Sequence, residues 1–263
     1  MKERPILFSG PMVRALLDGR KSQTRRVVKL PHNNRLGVWE PTTLGGPDGG
    51  RTATGETVPF QGAIWHTRTG DSLMCPHGQP GDHLWVRESG VKIKLAASDF
   101  HIFRHDEPTT LRIGDYWVEE TRAPGASYNV AGCSRKSALS YREAKVVPSI
   151  HMPRWACRLE LVIAYVRVER VQDINEADAV AEGVESVRNE GEYWKDYLRS
   201  TKRCDEMTCL TARDSFRTLW DSINASRGFG WDINPWVWSI SFRRIERVVP
   251  EVVVDLCEDD VPF

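Results

Sequence analysis

The stretch CRLELVIAYVRVERV, residues 157–171, is the clearest β-strand pattern in this chain and decides the fold class. Leu161 and Ile163 occupy alternate positions, which is the period of a strand that buries one face. Val166 and Val168 then carry the apolar positions in the opposite phase. A change of phase within one long strand predicts a β-bulge or bend, as in a sheet that curls into a barrel.

Three further segments follow this strand and extend the predicted architecture. Residues 174–184 predict a short helix with Asn175 as its N-cap and Gly183 at its end. Residues 213–224 predict a longer amphipathic helix, because its apolar residues recur at helical spacing. Residues 235–245 predict a strand in which apolar residues, two of them tryptophans, alternate with other residues.

The amino-terminal part of the chain predicts a helix, a basic turn and two strands. Residues 9–21 read SGPMVRALLDGRK, in which Ser9 is the predicted N-cap and Gly19 the predicted end of the helix. TRRVVK, residues 24–29, predicts the start of a strand. GDHLWVRES, residues 81–89, predicts a tight turn that leads into another strand.

Long segments separate these elements. Residues 31–80 are rich in Gly, Pro and Thr and predict loop structure with a hairpin. Residues 91–145 show no strong hydrophobic period. We therefore expect a mixed α/β, mainly β fold: a small β-barrel with short flanking helices and long loop insertions. The predicted organisation is one domain over 1–250, insertions at about 31–80, 91–145 and 186–212, and an acidic tail over 251–263.

Composition and charge restrict the function classes. Lys+Arg and Asp+Glu each number 36, so any nucleic-acid contact must come from a local basic patch rather than from net charge. No apolar run approaches the ~20 residues that span a bilayer, and the amino terminus does not resemble a secretory signal. The six cysteines include no CxxC pair, which predicts free thiols in a reducing cytoplasm.

The segment DGRKSQTRR, residues 18–26, concentrates positive charge directly after the predicted helix. Lys21 and Thr24 are three residues apart, close enough to face one site. A threonine hydroxyl becomes a nucleophile when a base takes its proton, and a lysine can be that base when burial or nearby cations lower its pKa. In the alternative interpretation the cations of this segment bind phosphate and Thr24 is only a strand residue. The other cations of the segment are Arg20, Arg25 and Arg26.

GRKSQTRR resembles the GxKxxxxR signature of the ASCH domain, the activating-signal-cointegrator homology domain, which is a β-barrel of the PUA-like superfamily. The order of the elements is similar to that of ASCH proteins encoded in bacteriophages and prophages. The segments that carry the resemblance are 1–30, 81–90, 146–185 and 213–246. The resemblance implies a PUA-like barrel in the cytoplasm of a bacterial host, with RNA, DNA or a modified nucleoside as its partner.

One small bacterial member of this family is an N4-acetylcytidine amidohydrolase. The resemblance implies catalytic roles for Lys21 and Thr24 in the GRK motif, and for Glu182, which falls at the place of the family's glutamate on the later short helix. Thr24 would be the nucleophile, Lys21 the base and Glu182 the acid that protonates the leaving amine. No cofactor is implied. The alternative is a nucleic-acid-binding module or adaptor without catalysis.

Two further groups of residues are candidates for binding. Arg87 and Glu88 end the strand predicted in residues 81–89, where they either line the pocket or form a surface pair, and Glu88 is a rival for the acid role. His151, Arg154 and Trp155 offer a donor, a cation and a stacking surface, which suit a base or a phosphate. The alternative is a packed loop before the long strand.

No metal site is predicted. Cys75, His77, Cys133 and His151 are the residues from which a zinc site would be assembled. CPHG lacks the usual spacing of zinc ligands, and the other candidates lie far apart in sequence.

The chain ends in EDDVPF, which resembles the tip of bacterial single-stranded DNA-binding protein. The resemblance implies docking on host proteins that bind that tip. A terminal phenylalanine ring would fill an apolar pocket, its carboxylate would meet a basic group, and the acidic residues would steer association. The alternative is an acidic tail that ends in phenylalanine by chance. The predicted docking residues are Asp259, Asp260, Val261, Pro262 and Phe263.

Overall fold

The structure is a computed structural model. It describes residues 1–46, 51, 55–95, 114–119, 145–188, 193–199 and 208–245. Strands predominate over helices in this part of the chain, which confirms the predicted mixed α/β, mainly β class. No helix in these ranges is long and apolar enough to cross a membrane.

The strands and helices have the following bounds. In chain order the strands are β1 (Glu3–Leu7), β2 (Gln23–Val27), β3 (Trp39–Leu44), β4 (Gln61–His66), β5 (Ser72–Met74), β6 (His83–Arg87), β7 (Gly90–Leu95), β8 (Gly114–Glu119), β9 (Lys145–Val147), β10 (Glu160–Arg170), β11 (Ser186–Arg188), β12 (Tyr193–Lys195), β13 (Thr208–Cys209) and β14 (Trp236–Ile245). The helices are α1 (Gly10–Leu17), α2 (Glu176–Ala181) and α3 (Ala212–Asn224).

A five-stranded sheet in the order β1–β6–β10–β14–β2 forms the centre of the molecule. β1 and β6 are parallel, and the other neighbours are antiparallel. The pairings within the described strands leave β1 and β2 at opposite edges of the sheet, so closure into the predicted barrel is not shown. The guanidinium of Arg26 on β2 donates a hydrogen bond of 2.6 Å to the carbonyl oxygen of Leu7, which links the two edge strands through a side chain.

The long strand β10 contains the irregularity that its sequence predicts. Its register against β14 shifts between Ile163 and Tyr165, which confirms the β-bulge. Leu161 and Ile163 are buried before the shift and Val166 is buried after it. The extra residue therefore lets apolar side chains on both sides of the bulge reach the core.

The three helices in the described part of the chain begin and end at residues that the local sequence largely identifies. Asn175 caps α2, because its side chain accepts a hydrogen bond from the backbone N–H of Asp178. Thr211 caps α3 by accepting from the backbone N–H of Asp214 in the same way. Ser9 occupies the predicted N-cap position of α1, but its side chain makes no capping hydrogen bond.

Residues 31–80 hold a three-stranded antiparallel sheet, β3–β4–β5, where the sequence predicted loop structure with a hairpin. Trp39 and Ile64 of this sheet belong to the same core as the central strands. β4 buries four consecutive residues, 61–64, and therefore shows none of the alternation that identifies a strand. A Cβ atom at Gly62 would lie 2.7 Å from Cα of Arg167, so β4 approaches the backbone of β10 closely.

Two smaller sheets occupy the other predicted insertions. β7 lies between β8 and β9, and these strands fall in or beside residues 91–145. The second sheet, β11–β12–β13, lies within residues 186–212 and precedes α3. Both sheets are antiparallel, and they show that these segments contain regular structure as well as loops.

Candidate active site at the buried Lys21–Glu182 pair

The basic turn that contains Lys21 is held between α1 and α2. The backbone N–H of Lys21 donates to the carbonyl oxygen of Ala15, and that of Ser22 donates to the carbonyl oxygen of Ala181, at 3.0 and 2.9 Å. Gly183 ends α2 with a φ of 84°, a conformation that favours glycine. A Cβ atom there would lie 2.9 Å from Cβ of both Ala15 and Lys21, so glycine also permits this close approach.

Lys21 and Glu182 form a buried ion pair. Nζ of Lys21 donates to Oε2 of Glu182 at 2.9 Å and to the backbone carbonyl oxygen of the same residue at 2.6 Å. Their side chains are 1% and 5% exposed. Burial is the main cause that lowers the pKa of Lys21 from its usual 10.5, and the charges of Arg26 and Arg25 act in the same direction, against Glu182.

Arg25 fixes the other oxygen of the same carboxylate. Its Nη1 donates to Oε1 of Glu182 at 3.1 Å and to Oε1 of Gln23 at 2.6 Å. Its Nη2 donates to Oδ2 of Asp178 at 3.0 Å, and its Nε donates to Oε1 of Glu169 at 2.8 Å. Each nitrogen of the guanidinium is therefore bonded, and the orientation of Glu182 is fixed from two sides.

Arg167 completes a balanced charge network. Its Nε donates to Glu169 at 2.7 Å, and its Nη2 donates to Asp178. The side-chain amide nitrogen of Gln23 donates a hydrogen bond of 3.3 Å to Oδ1 of Asp178. Three cations and three carboxylates thus neutralise each other beneath α2, which reduces the cost of burying them. The cations are Lys21, Arg25 and Arg167, and the carboxylates are Glu169, Asp178 and Glu182.

This network argues against the phosphate-binding role predicted for Arg25. Its side chain is 0% exposed, and its donors are bonded to side chains of the protein. A phosphate could reach it only if the network opened. Arg25 is therefore a positioning residue for Glu182.

Arg20 and Arg26, the other predicted phosphate contacts, occupy different environments. Arg20 is at the surface, where it pairs with Asp18 at 2.9 Å and donates a long hydrogen bond of 3.4 Å to the carbonyl oxygen of Gly183. Arg26 is half-buried, with its guanidinium 5.2 Å from the centre of the Phe8 ring. Only Arg26 is therefore associated with the interior near Lys21.

Thr24 lies on β2, opposite Ile240 of β14, and is buried. Because side chains alternate along a strand, Thr24 shares a face of β2 with Arg26, whereas Gln23 and Arg25 occupy the other face. The Thr24 hydroxyl makes no hydrogen bond within the described part of the chain. Of the three predicted catalytic residues, the structure therefore brings Lys21 and Glu182 into contact and leaves the hydroxyl of Thr24 uncommitted.

Arg87 and Glu88 do not form the surface pair that was one interpretation of the sequence. Glu88 is 2% exposed and accepts hydrogen bonds of 2.8 and 3.0 Å from Arg158. Arg87 donates to the carbonyl oxygen of Met152 at 3.3 Å and lies 4.8 Å from the centre of the Trp85 ring. Glu88 and Glu182 thus bind different cations, so nothing in this arrangement gives Glu88 the acid role.

The HMPRW segment contacts the edge of the central sheet formed by β1 and β6. Arg154 pairs with Glu3 at 3.0 Å and with Glu160, and its guanidinium lies 5.9 Å from the centre of the Trp85 ring. Trp155 lies with Arg154 in the short 3-10 helix Arg154–Ala156, and His151 is exposed. Arg154 is thus engaged with carboxylates of the protein, which favours the packed-loop interpretation for this residue.

The sequence analysis did not predict the roles of Arg167, Glu169 and Asp178 in the charge network, although their spacing indicates part of it. Asp178 precedes Glu182 by four residues on the helix pattern, a spacing that places two side chains on one face. Arg167 and Glu169 are two apart on a strand and share a face for the same kind of reason. The contacts of Glu169 and Asp178 with Arg25 depend on the order of the strands, which no local sequence pattern specifies.

Other predicted features give no further site. Within the described ranges, no group of three or more His, Cys, Asp or Glu residues is arranged to hold a metal ion. Cys133 and the tail residues 259–263 lie outside the described residues. Comparison of the chain with protein-family models, with curated proteins and with solved structures finds no match.

Proposed function

We propose that this protein is an ASCH-type, PUA-like amidohydrolase that removes an acyl group from the exocyclic amine of a modified nucleobase, with N4-acetylcytidine as the model substrate. The observation that carries the proposal is the enclosed Lys21–Glu182 pair, whose lysine has a lowered pKa. The substrate class comes from the resemblance of GRKSQTRR to the family signature. Thr24 is the nucleophile in this proposal, because it is a buried residue of β2, three positions from Lys21, and its hydroxyl makes no hydrogen bond within the described residues.

The pair supports base and acid chemistry together. Transfer of one proton from Nζ of Lys21 to Oε2 of Glu182, along a hydrogen bond of 2.9 Å, produces a neutral amine and a neutral carboxylic acid. The amine is then the general base and the carboxylic acid is the general acid. Burial disfavours the charged form of Lys21, which favours the neutral amine relative to that of an exposed lysine.

The reaction then proceeds in two balanced steps. Thr24 Oγ1 attacks the acyl carbonyl carbon while its proton passes to the Lys21 amine, and the C–N bond breaks as Glu182 gives its proton to the leaving exocyclic amine. These events yield an acyl-threonine ester and the free nucleobase amine. Water next attacks the ester, one of its protons returns to the threonine oxygen, and the carboxylic acid product leaves.

Turnover of N4-acetylcytidine by the purified protein tests this proposal. We expect release of acetate and cytidine, loss of at least about a hundredfold in rate for Thr24→Ala, and partial retention in Thr24→Ser, which keeps the hydroxyl. Thr43→Ala is the matched control, because Thr43 is an exposed threonine of β3. An absence of turnover on a panel of N-acylated cytosine, adenine and guanine nucleosides and nucleotides would refute the proposal, as would full activity of Thr24→Ala.

The alternative of a non-catalytic nucleic-acid-binding module depends on the same motif. It requires the arginines of the motif to be available to phosphates, and Arg25 is enclosed and fully bonded. In that alternative binding would fall steeply with salt, and the loss of each phosphate-contacting cation would reduce the salt dependence. The state of Arg25 counts against the alternative at this position, whereas Arg20 at the surface and the unpaired Nε of Arg26 are compatible with either proposal.

A further inference from the structure

Two arginines near the proposed active site hold buried nitrogens that have no partner. The Nε atoms of Arg4 on β1 and of Arg26 on β2 are both buried without a hydrogen-bond acceptor. The Arg4 side chain forms no hydrogen bond or ion pair within the described ranges, and Arg26 donates only to the carbonyl oxygen of Leu7. A buried donor without an acceptor is costly, so two in one region indicate an acceptor that comes from a ligand.

Arg26 reaches β1, the strand that carries Arg4, through its hydrogen bond of 2.6 Å to the carbonyl oxygen of Leu7. The charges of both arginines act on His77. Burial and then the charges of Arg26 and Arg4 lower the pKa of His77 to about 4, so its imidazole is neutral near pH 7. A neutral imidazole can donate one N–H to an anion without adding charge. The neighbouring Cys75 does not compensate the two cations, because burial raises the pKa of its thiol to about 11.

This group of donors borders the Lys21–Glu182 pair. The Phe8 ring is near both cations, with the Arg26 guanidinium 5.2 Å and Nζ of Lys21 5.5 Å from its centre. Thr24 shares the face of β2 from which Arg26 projects. Thr24 and Arg26 are two residues apart on that face, about 7 Å along the strand, so an anionic group bound by Arg26 would lie near the proposed nucleophile.

From this arrangement we infer that Arg4, Arg26 and His77 bind a phosphate group of the substrate, so that the enzyme acts on an acylated nucleotide in preference to the free nucleoside. This inference rests on the proposed function, since the anionic group that a nucleoside substrate can carry is a phosphate. Guanidinium groups suit this ligand because their planar N–H donors match phosphate oxygens.

Steady-state kinetics with N4-acetylcytidine and its 5′-monophosphate test the inference. We expect kcat/KM to be at least about tenfold higher for the monophosphate, as is typical of a charge-assisted hydrogen bond. Arg4→Met should reduce that ratio by about tenfold, and Arg4→Lys should reduce it less. Arg14→Met, at an exposed position of α1, is the control and should leave the ratio unchanged. Equal kcat/KM values for the two substrates in the unmodified protein would overturn the inference.

A binding measurement separates this inference from the proposed function. Calorimetric titration at low salt compares cytidine 5′-monophosphate with cytidine, in the unmodified protein and in Arg4→Met. Tighter binding of the monophosphate that Arg4→Met removes supports the phosphate site even if no acylated substrate is turned over, in which case only the amidohydrolase proposal fails. Equal affinities for the two ligands, together with turnover, refute the phosphate site and leave the amidohydrolase proposal intact. Thermal unfolding of each variant identifies any that do not fold, and Arg4→Lys then takes the place of Arg4→Met.

Discussion

At the scale of single residues, the chemistry depends on where the Lys21 ammonium lies. It is enclosed by α1, α2 and β2, and both of its hydrogen bonds go to Glu182. A buried ion pair contributes little net stability compared with apolar residues of the same size, but removal of one partner costs about 3–5 kcal/mol. A site of this kind is difficult to justify by stability alone, which is consistent with a chemical role for the pair.

The lowered pKa of Lys21 makes a prediction about pH. The unfolded chain binds a proton at this lysine up to about its usual pKa of 10.5, whereas the folded protein releases that proton at lower pH. Between the two pKa values the unfolded state binds more protons, so this group's contribution to the free energy of unfolding rises with pH. The folded protein therefore loses the proton of Lys21 at lower pH than an exposed lysine does.

We accordingly expect kcat/KM for N4-acetylcytidine to fall as pH rises along a limb whose apparent pKa lies below 10.5, because loss of the proton that Lys21 and Glu182 share removes the general acid. Rate measurements across that range give this value directly. Lys21→Arg is the matched variant, because arginine keeps the positive charge but does not lose its proton in this range. A limb at or above 10.5, or an unchanged limb in Lys21→Arg, would contradict the assignment of Lys21 as the base.

At the scale of elements, α2 is the part that delivers carboxylates to the site. It has only six residues, yet it carries Asp178, and Glu182 follows directly at its C-cap. Isolated helices of this length are not stable in water, so α2 depends on its ends and on packing. Asn175 provides the start, and Gly183 provides the end and the close approach to Lys21.

Replacement of Asn175 and of Ser9 compares an N-cap residue whose side chain makes a capping hydrogen bond with one whose side chain makes none. Asn175→Ala should reduce the free energy of unfolding by about 1 kcal/mol, because the backbone N–H of Asp178 loses its acceptor. Ser9→Ala should have a clearly smaller effect, since Ser9 makes no side-chain capping bond. Chemical denaturation monitored by circular dichroism measures both values. Equal losses in the two variants would contradict the assigned caps.

Local sequence patterns predicted these elements better than they predicted the site. The bulge between Ile163 and Tyr165 and the cap at Asn175 are written in a few consecutive residues, so periodicity and capping preferences identify them. The contact between Arg25 and Glu169 joins residues 144 positions apart. That contact exists because β14 pairs with both β2 and β10, and this strand order is a property of the tertiary fold.

At the scale of the whole molecule, the inserted sheet β3–β4–β5 and the central sheet share one core. Gly62 of β4 lies against the backbone of β10 at Val166 and Arg167. Arg167 in turn contributes to the charge network around Arg25 through Asp178. The inserted sheet therefore supports the strand on which part of the site is built.

Substitution at Gly62 tests this contact between sheets. Gly62→Ala places a Cβ atom 2.7 Å from Cα of Arg167 and 2.9 Å from the carbonyl oxygen of Val166, and backbone atoms cannot move aside cheaply. We expect a loss of about 1–3 kcal/mol in the free energy of unfolding. Gly230→Ala is the control, because its added Cβ would meet atoms no closer than 3.4 Å. A Gly62→Ala variant as stable as Gly230→Ala would show that the sheets do not pack closely here.

The burial of Trp39 and Ile64 has a practical consequence for protein engineering. Residues 31–80 read as an insertion in the sequence but contribute to the hydrophobic core. Deletion of this segment therefore removes the side chains of Trp39 and Ile64 from the core of the remaining protein. The loss of large side chains from a core costs several kcal/mol, which is comparable to the whole free energy of unfolding of many domains. Deletion of residues 31–80 alone therefore does not give a stable smaller protein. The surface of β10 that the deletion exposes also has to be redesigned.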